Sequence, residues 1–143
     1  AVVGLILLMF LKVFTLITLL EIELLFCLKS IVFAHVLSRW SVTTIIYTHN
    51  YSRTDSESKV KPIAKKLTLT NLIVASIWVI PCLFLFQSWL ILLAIPIVYT
   101  MKVYLASYFQ KWIEGYTGDC LGATQQINEI VTLLFCLAIW KFI

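Results

Sequence analysis

The sequence predicts an all-α, polytopic membrane bundle of about five transmembrane helices. Three observations carry this. Of 143 residues, 62% are hydrophobic. Only 13% are charged, against about a quarter in soluble domains. The apolar residues also come in runs long enough to cross a bilayer. No repeat or low-complexity segment divides these runs, so residues 1–143 read as a single transmembrane helical domain. The formal net charge of +4 does not by itself point to nucleic acid, because the positive residues must be placed along the chain before they are read.

The first span covers about Val2 to Leu20, which as a helix is about 28 Å long. Lys12 interrupts it and either snorkels or faces the bundle interior. Glu21-Ile22-Glu23 makes a tight acidic turn. The second span, about Leu24 to Tyr47, carries Lys29, His35 and Arg39. A long polar segment follows, His49 to Lys66, with Arg53, Lys59, Lys61, Lys65 and Lys66 against Asp55 and Glu57. The third span is about Leu67 to Phe86, with a kink expected at Pro81. Gln87-Ser88 turns the chain into a fourth span, about Trp89 to Phe109, containing Pro96 and Lys102. Gln110 to Gly118 is the second polar loop, and the fifth span runs from about Asp119 to the end. Trp40, Trp89, Trp112 and Trp140 fall near span ends and read as interfacial anchors, whereas Trp78 reads as packing. Cys27, Cys82 and Cys136 lie in apolar runs as small hydrophobes, and with Cys120 they form no CxxC pair. The chain starts at Ala1, without Met, directly in an apolar run too long for a signal h-region. It therefore reads as missing its upstream part, or as processed.

Basic loops stay cytoplasmic. Placing the 49–66 loop there also puts the 110–118 loop on that side, so both substantial polar loops share one face. The 49–66 loop sets topology or touches anionic lipid, and it can also steer a phosphorylated substrate.

The stretch best suited to chemistry is Gly115-Tyr116-Thr117-Gly118-Asp119-Cys120-Leu121-Gly122-Ala123. Gly115 and Gly118 permit positive φ and close approach of a ligand to the backbone. Asp119 suits the N-cap of the last span, with Gly122 in its first turn. A glycine-rich turn entering a helix offers free N–H groups and the positive end of the helix dipole to an anion such as phosphate. Asp119, Gly122, Gln126 and Glu129 recur on one helical face, widened by Gln125 and Asn128. Such a stripe is either a hydrogen-bonded seam between spans or a wall facing substrate. Counting turns puts Glu129, Arg39 and Lys102 at similar depth, so Glu129 is expected to pair with Arg39 or Lys102. His35 and His49 show no metal-like spacing and read as structural.

The nine-residue stretch from Gly115 resembles the C-terminal motif of the cobalamin synthase family (adenosylcobinamide-GDP ribazoletransferases), with Thr-Gly-Asp and Leu-Gly-Ala in register. Ser38-Arg39-Trp40 is similar to a second, less distinctive family position, and Val2-Val3-Gly4-Leu5 resembles the start of the family's C-terminal half. The resemblance covers the whole chain but only the later part of the family's length. It implies a transferase of the bacterial inner membrane that joins adenosylcobinamide-GDP to α-ribazole, or its 5′-phosphate, and releases GMP. Its partners are then these substrates and the lipid bilayer, with an oligomer or other cobalamin-assembly enzymes as further ones. Asp119 and Thr117 become candidates for catalysis. Gly115, Gly118, Gly122, Gln126 and Arg39 become candidates for substrate and phosphate binding. The family's Asp-rich motif, associated with Mg²⁺, has no counterpart here, and Glu114 stands where members often carry glycine. Asp119 would then complete a metal site whose other carboxylates lie upstream, or it would only cap its helix, and the chain alone is expected to be inactive. The alternative is a non-catalytic membrane subunit or small transporter component, with the polar stripe lining a conduit.

Overall fold

The structure is a computed structural model, and it describes residues 2–52 and 67–142. Arg53, Lys59, Lys61, Lys65 and Lys66 of the basic loop lie outside the described residues, as do Asp55 and Glu57. Six α-helices follow in order: α1 Val2–Ile22, α2 Leu24–Thr48, α3 Leu69–Ile77, α4 Val79–Leu83, α5 Ala94–Ile113 and α6 Gly118–Ile139. Short 3₁₀ segments, Trp89–Leu93 and Trp140–Phe142, lead into α5 and close α6. Four helical stretches, Val3–Ile22, Leu24–Thr48, Trp89–Ile113 and Gly118–Phe142, are long and apolar enough to cross a membrane. The chain is a multi-pass membrane protein.

The expected third span is the one that changes shape. Instead of one rod it is α3 and α4, together the shorter apolar stretch Leu69–Leu83. The cause is local. Proline at 81 cannot donate to the carbonyl four residues back, and its ring crowds that carbonyl. That residue is Ile77, where α3 ends. The chain then leaves α4 through tight bonds, Phe84 N–H to the Pro81 carbonyl at 3.2 Å and Leu85 N–H to the Cys82 carbonyl at 3.3 Å. Trp78, expected to pack, sits at this break and is 67% exposed. Pro96 falls in the first turn of α5, where a missing N–H costs nothing.

Helices α2 and α6 form the central pair. α1 and α5 each lie against both, and α3 and α4 lean on α2. One apolar cluster joins Phe33 and Leu37 of α2 to Val79, Phe86, Ile91, Val98 and Cys136. In it the rings of Phe33 and Phe86 meet edge to face, with centroids 5.5 Å apart. A second cluster joins Leu19, Cys27, Ala34 and Leu133 across α1, α2 and α6. The buried hydroxyls of α2 turn back on their own helix. Ser30 donates to the Phe26 carbonyl at 2.8 Å, and Ser41 to that of Ser38 at 2.6 Å. This satisfies them without a partner helix. The outer face of α1, including Phe10 and Phe14, is exposed and apolar, as a lipid-facing surface should be.

Candidate functional site: the turn into the last helix

The two polar loops are joined. Tyr51 and Tyr116 form a parallel bridge, with Tyr116 N–H donating to the Asn50 carbonyl at 3.1 Å and Ser52 N–H to the Tyr116 carbonyl at 3.0 Å. The Ser52 hydroxyl donates to the Ile113 carbonyl. Beneath the bridge, Tyr116 packs with Ile45 of α2 and Ala106 of α5. The segment after α2 is thus fastened to the segment before α6, which places both on one end of the bundle.

Gly115 is required here for space and not for positive φ. A Cβ at this position would lie 2.5 Å from the Asn50 carbonyl oxygen and 3.2 Å from Ser52 N. The positive φ expected at Gly115 or Gly118 occurs instead at Glu114, at φ 53 and ψ 26. Glu114 closes α5 in the left-handed conformation, its N–H donating to the Gln110 carbonyl at 3.1 Å. Helix ends of this kind usually take glycine. The residue at which the family resemblance leads one to expect glycine is therefore the one whose backbone asks for it.

Thr117, not Asp119, caps α6. Its hydroxyl oxygen accepts from Cys120 N–H at 3.4 Å, and its own hydrogen has Cys120 Sγ, a poor acceptor, at 3.2 Å. Because Thr117 takes the capping position, Asp119 moves into the first turn, where it is exposed and still favoured by the helix dipole. Gly118 and Gly122 have open space where a Cβ would stand. The first N–H groups of α6 have no partner within the helix.

The polar stripe on α6 divides by depth. Asp119 and Gly122 are exposed, Gln125 and Gln126 are half-buried, and Asn128 and Glu129 are buried. Asn128 donates to the Ser41 hydroxyl of α2 at 2.7 Å. Glu129 is only 2% exposed and pairs with Lys12 of α1, with His35 Nδ1 of α2 at 3.5 Å from its other oxygen. The expected pairing of Glu129 with Arg39 or Lys102 is thereby corrected. Arg39 lies on an exposed flank of α2. Lys102 is 3% exposed, with the Tyr99 ring centroid 5.3 Å from its ammonium. The stripe begins as an open wall and ends as a seam. Arg39 is not brought into that seam and forms no salt bridge among the described residues.

One feature of this end was not legible beforehand. His49 closes α2, and its Nδ1 lies 2.7 Å from the Thr48 hydroxyl oxygen. The single hydrogen of Thr48 goes to the Thr44 carbonyl at 2.8 Å. Thr48 must then accept from His49 Nδ1–H, which leaves the Nε2 lone pair free. Burial and the Lys102 ammonium hold the His49 pKa below its ordinary value, so the ring is neutral near pH 7. Tyr116 moves the other way, pushed up by burial and by Tyr51.

Among the described residues, no group of three or more His, Cys, Asp or Glu side chains is placed to hold a metal ion. Asp119 is a single exposed carboxylate, which falls short of a Mg²⁺ site. Two clefts lie at the other end of the bundle, about 440 Å³ against Phe84, Gln87 and Trp89 and about 540 Å³ against Glu23, Lys29 and Trp140, and a third of about 600 Å³ lies along α5 at Pro96, Thr100 and Tyr104. The turn itself is an open face.

Comparison with known proteins adds the family. The family described as Cobalamin-5-phosphate synthase matches residues 1–137. An adenosylcobinamide-GDP ribazoletransferase of Shewanella amazonensis is 39% identical over 113 residues, covering 78% of this chain and 43% of that protein. One from Leptospira interrogans is 33% identical over 147 residues, covering 99% of this chain and 56% of that protein. The chain spans about half the length of these relatives. No solved structure matches it at a significant level.

Proposed function

The chain belongs to the cobalamin-5-phosphate synthase family, and we propose that it forms the phosphate-handling face of an adenosylcobinamide-GDP ribazoletransferase. The reaction joins adenosylcobinamide-GDP to α-ribazole or its 5′-phosphate. A ribosyl hydroxyl that is free in both acceptors, and therefore not the 5′-hydroxyl, gives up its proton as its oxygen bonds to the phosphorus attached to cobinamide. The bond from that phosphorus to the GMP oxygen breaks, and its electron pair leaves with GMP.

The observation that carries this reading is the open N-terminus of α6 beside the joined polar loops. Phosphoryl-group transfer is mostly positioning and charge stabilisation, and free helix N–H groups supply both. Thr117 adds a hydroxyl whose present acceptor is weak. Gly115 lets the loops close, and Gly118 leaves the backbone uncovered on its outer side. Gly122 and Gln126 line the wall below, and the assignment of Arg39 to substrate rests on the family resemblance alone. Asp119 adds one carboxylate to a Mg²⁺ site whose remaining ligands are other than the described residues. The polar stripe ends in a buried ion pair, which favours a pocket open on one side over a conduit.

The basic residues between 53 and 66 favour a cytoplasmic position for this face, and the family resemblance favours the bacterial inner membrane. A water-soluble nucleotide then leaves directly into the cell.

A chimera tests the proposal. This chain should replace the matching segment of the Leptospira relative and retain GMP release from adenosylcobinamide-GDP and α-ribazole. Thr117→Ala should lower turnover about tenfold or more, as loss of a transition-state donor does. Asp119→Asn, which preserves the helix terminus, should also lower it if the carboxylate meets Mg²⁺. A chimera that is active and indifferent to both substitutions would remove the turn from the site. One that folds and inserts but releases no GMP would remove the transferase reading.

A further inference from the structure

The most heavily charged point inside the bundle takes no part in the turn. Lys12 occupies one oxygen of Glu129. The other oxygen, Oε2, faces His35 Nδ1 at 3.5 Å. Both of these atoms are buried and neither has a hydrogen-bond partner. Two lone pairs facing each other there would repel, and low dielectric makes an unpaired contact costly. A proton on Nδ1 makes the same contact attractive. It also decides the tautomer, because a neutral imidazole with Nδ1–H carries its lone pair on Nε2. The His35 side chain is 44% exposed although its Nδ1 is buried, so the exposed part of the ring lies away from Glu129. Lipid tails offer no donor to such an atom.

We propose that Lys12, Glu129 and His35 form a proton-acceptor site near the middle of the bilayer, in which Glu129 orients the His35 ring, Lys12 balances its charge, and Nε2 takes a hydrogen bond or a proton from an O–H donor. The logic is that of a carboxylate holding a histidine in one tautomer so that the opposite nitrogen serves as base. With neutral His35 the three side chains carry no net charge. On proton transfer the O–H electron pair stays on the donor oxygen, and the proton resides on Nε2. Glu129 then lies between two cations. Among the described residues, no other Lys, Arg, His, Asp or Glu forms an ion pair with these three. On α2, Arg39 is exposed. On α6, Asp119 is exposed at the mouth. On α5, Lys102 acts on His49 instead.

The test is independent of transferase activity. The chain has two histidines, so ¹⁵N-histidine labelling of a His49→Gln chain in lipid nanodiscs observes His35 alone. At neutral pH the ring should be mainly the Nδ1–H tautomer. Replacing the ion pair by apolar side chains of similar size, Lys12→Met with Glu129→Leu, preserves packing and should abolish that preference. A mainly Nε2–H ring in the parent chain would overturn the proposal, as would a tautomer ratio unmoved in the double variant. Adding α-ribazole separates the donors. A moved Nε2 resonance identifies a substrate hydroxyl. A resonance that responds only to exchange of H₂O for D₂O identifies water. Response to neither overturns the site.

Discussion

The mouth of α6 and its middle are built from the same kinds of residue and behave in opposite ways. At the mouth, Gly118, Asp119 and Gly122 are open, and backbone donors there have room for a ligand. About three turns deeper, Asn128 and Glu129 are closed in by Ser41, Lys12 and His35. On a helical wheel these are one stripe. Burial, not composition, separates a face that can bind from a seam that holds helices together. A polar group at the mouth has water as its alternative partner, whereas one at the middle has only protein.

The largest expected effect therefore lies deep. Glu129→Leu alone strands the Lys12 ammonium and should destabilise the bundle by about 3–5 kcal/mol, read as a lowered unfolding midpoint in detergent titration. The double variant with Lys12→Met should recover most of that loss. Equal destabilisation by the single and double variants would mean that the pair does not couple the two helices.

Next comes the joint between the loops. Gly115→Ala must push the Asn50 carbonyl aside, and such overpacking costs about 1–3 kcal/mol. Amide exchange at Ser52 and Tyr116 should speed up, since their N–H groups form the bridge. Gly122→Ala is the contrasting case: nothing stands where its Cβ would go, and a helical alanine is worth about 1 kcal/mol over glycine. It should be neutral or stabilising. Should both substitutions behave alike, the joint does not depend on close approach.

The smallest effect is a titration. With its folded pKa below the unfolded value, His49 binds fewer protons folded than unfolded. Stability should thus be complete above the ordinary histidine range and fall as pH drops through it toward the lower folded value. Lys102→Met removes one cause of the lowering, so the NMR midpoint of His49 should rise. A midpoint unmoved by that substitution would leave burial as its sole cause.

How far the sequence reaches can be judged from the same residues. Helices α1, α2 and α6 begin and end within a few residues of their expected bounds, because long apolar runs leave little choice. The broken third span was foreshadowed by Pro81, but an isolated proline does not say whether a helix bends or stops. Depth counting identified Glu129 as needing a partner, while Lys12 was left either to snorkel or to face the interior. It failed on the pairing because depth says nothing about rotation. Apolar side chains surround α2 on every side, so no stripe announces that Arg39 turns outward and His35 inward. The exchange of roles between Asp119 and Thr117 was hidden for a similar reason, since both are good N-caps and lie two residues apart. The joined loops were invisible, because the bridge is formed by backbone atoms. Only Gly115 hinted at it.

The short α3–α4 stretch bears on the membrane itself. Leu69–Leu83 extends about 22 Å if straight, against a hydrocarbon layer of about 30 Å. The deficit lies towards Gln87 and Ser88, where the chain has already left the helix and where one of the clefts is found. Lipids on that flank must shorten or tilt to match, so headgroups and water dip toward Phe84 and Trp89. The bundle therefore carries a dimple in the leaflet at that end, opposite the joined polar loops.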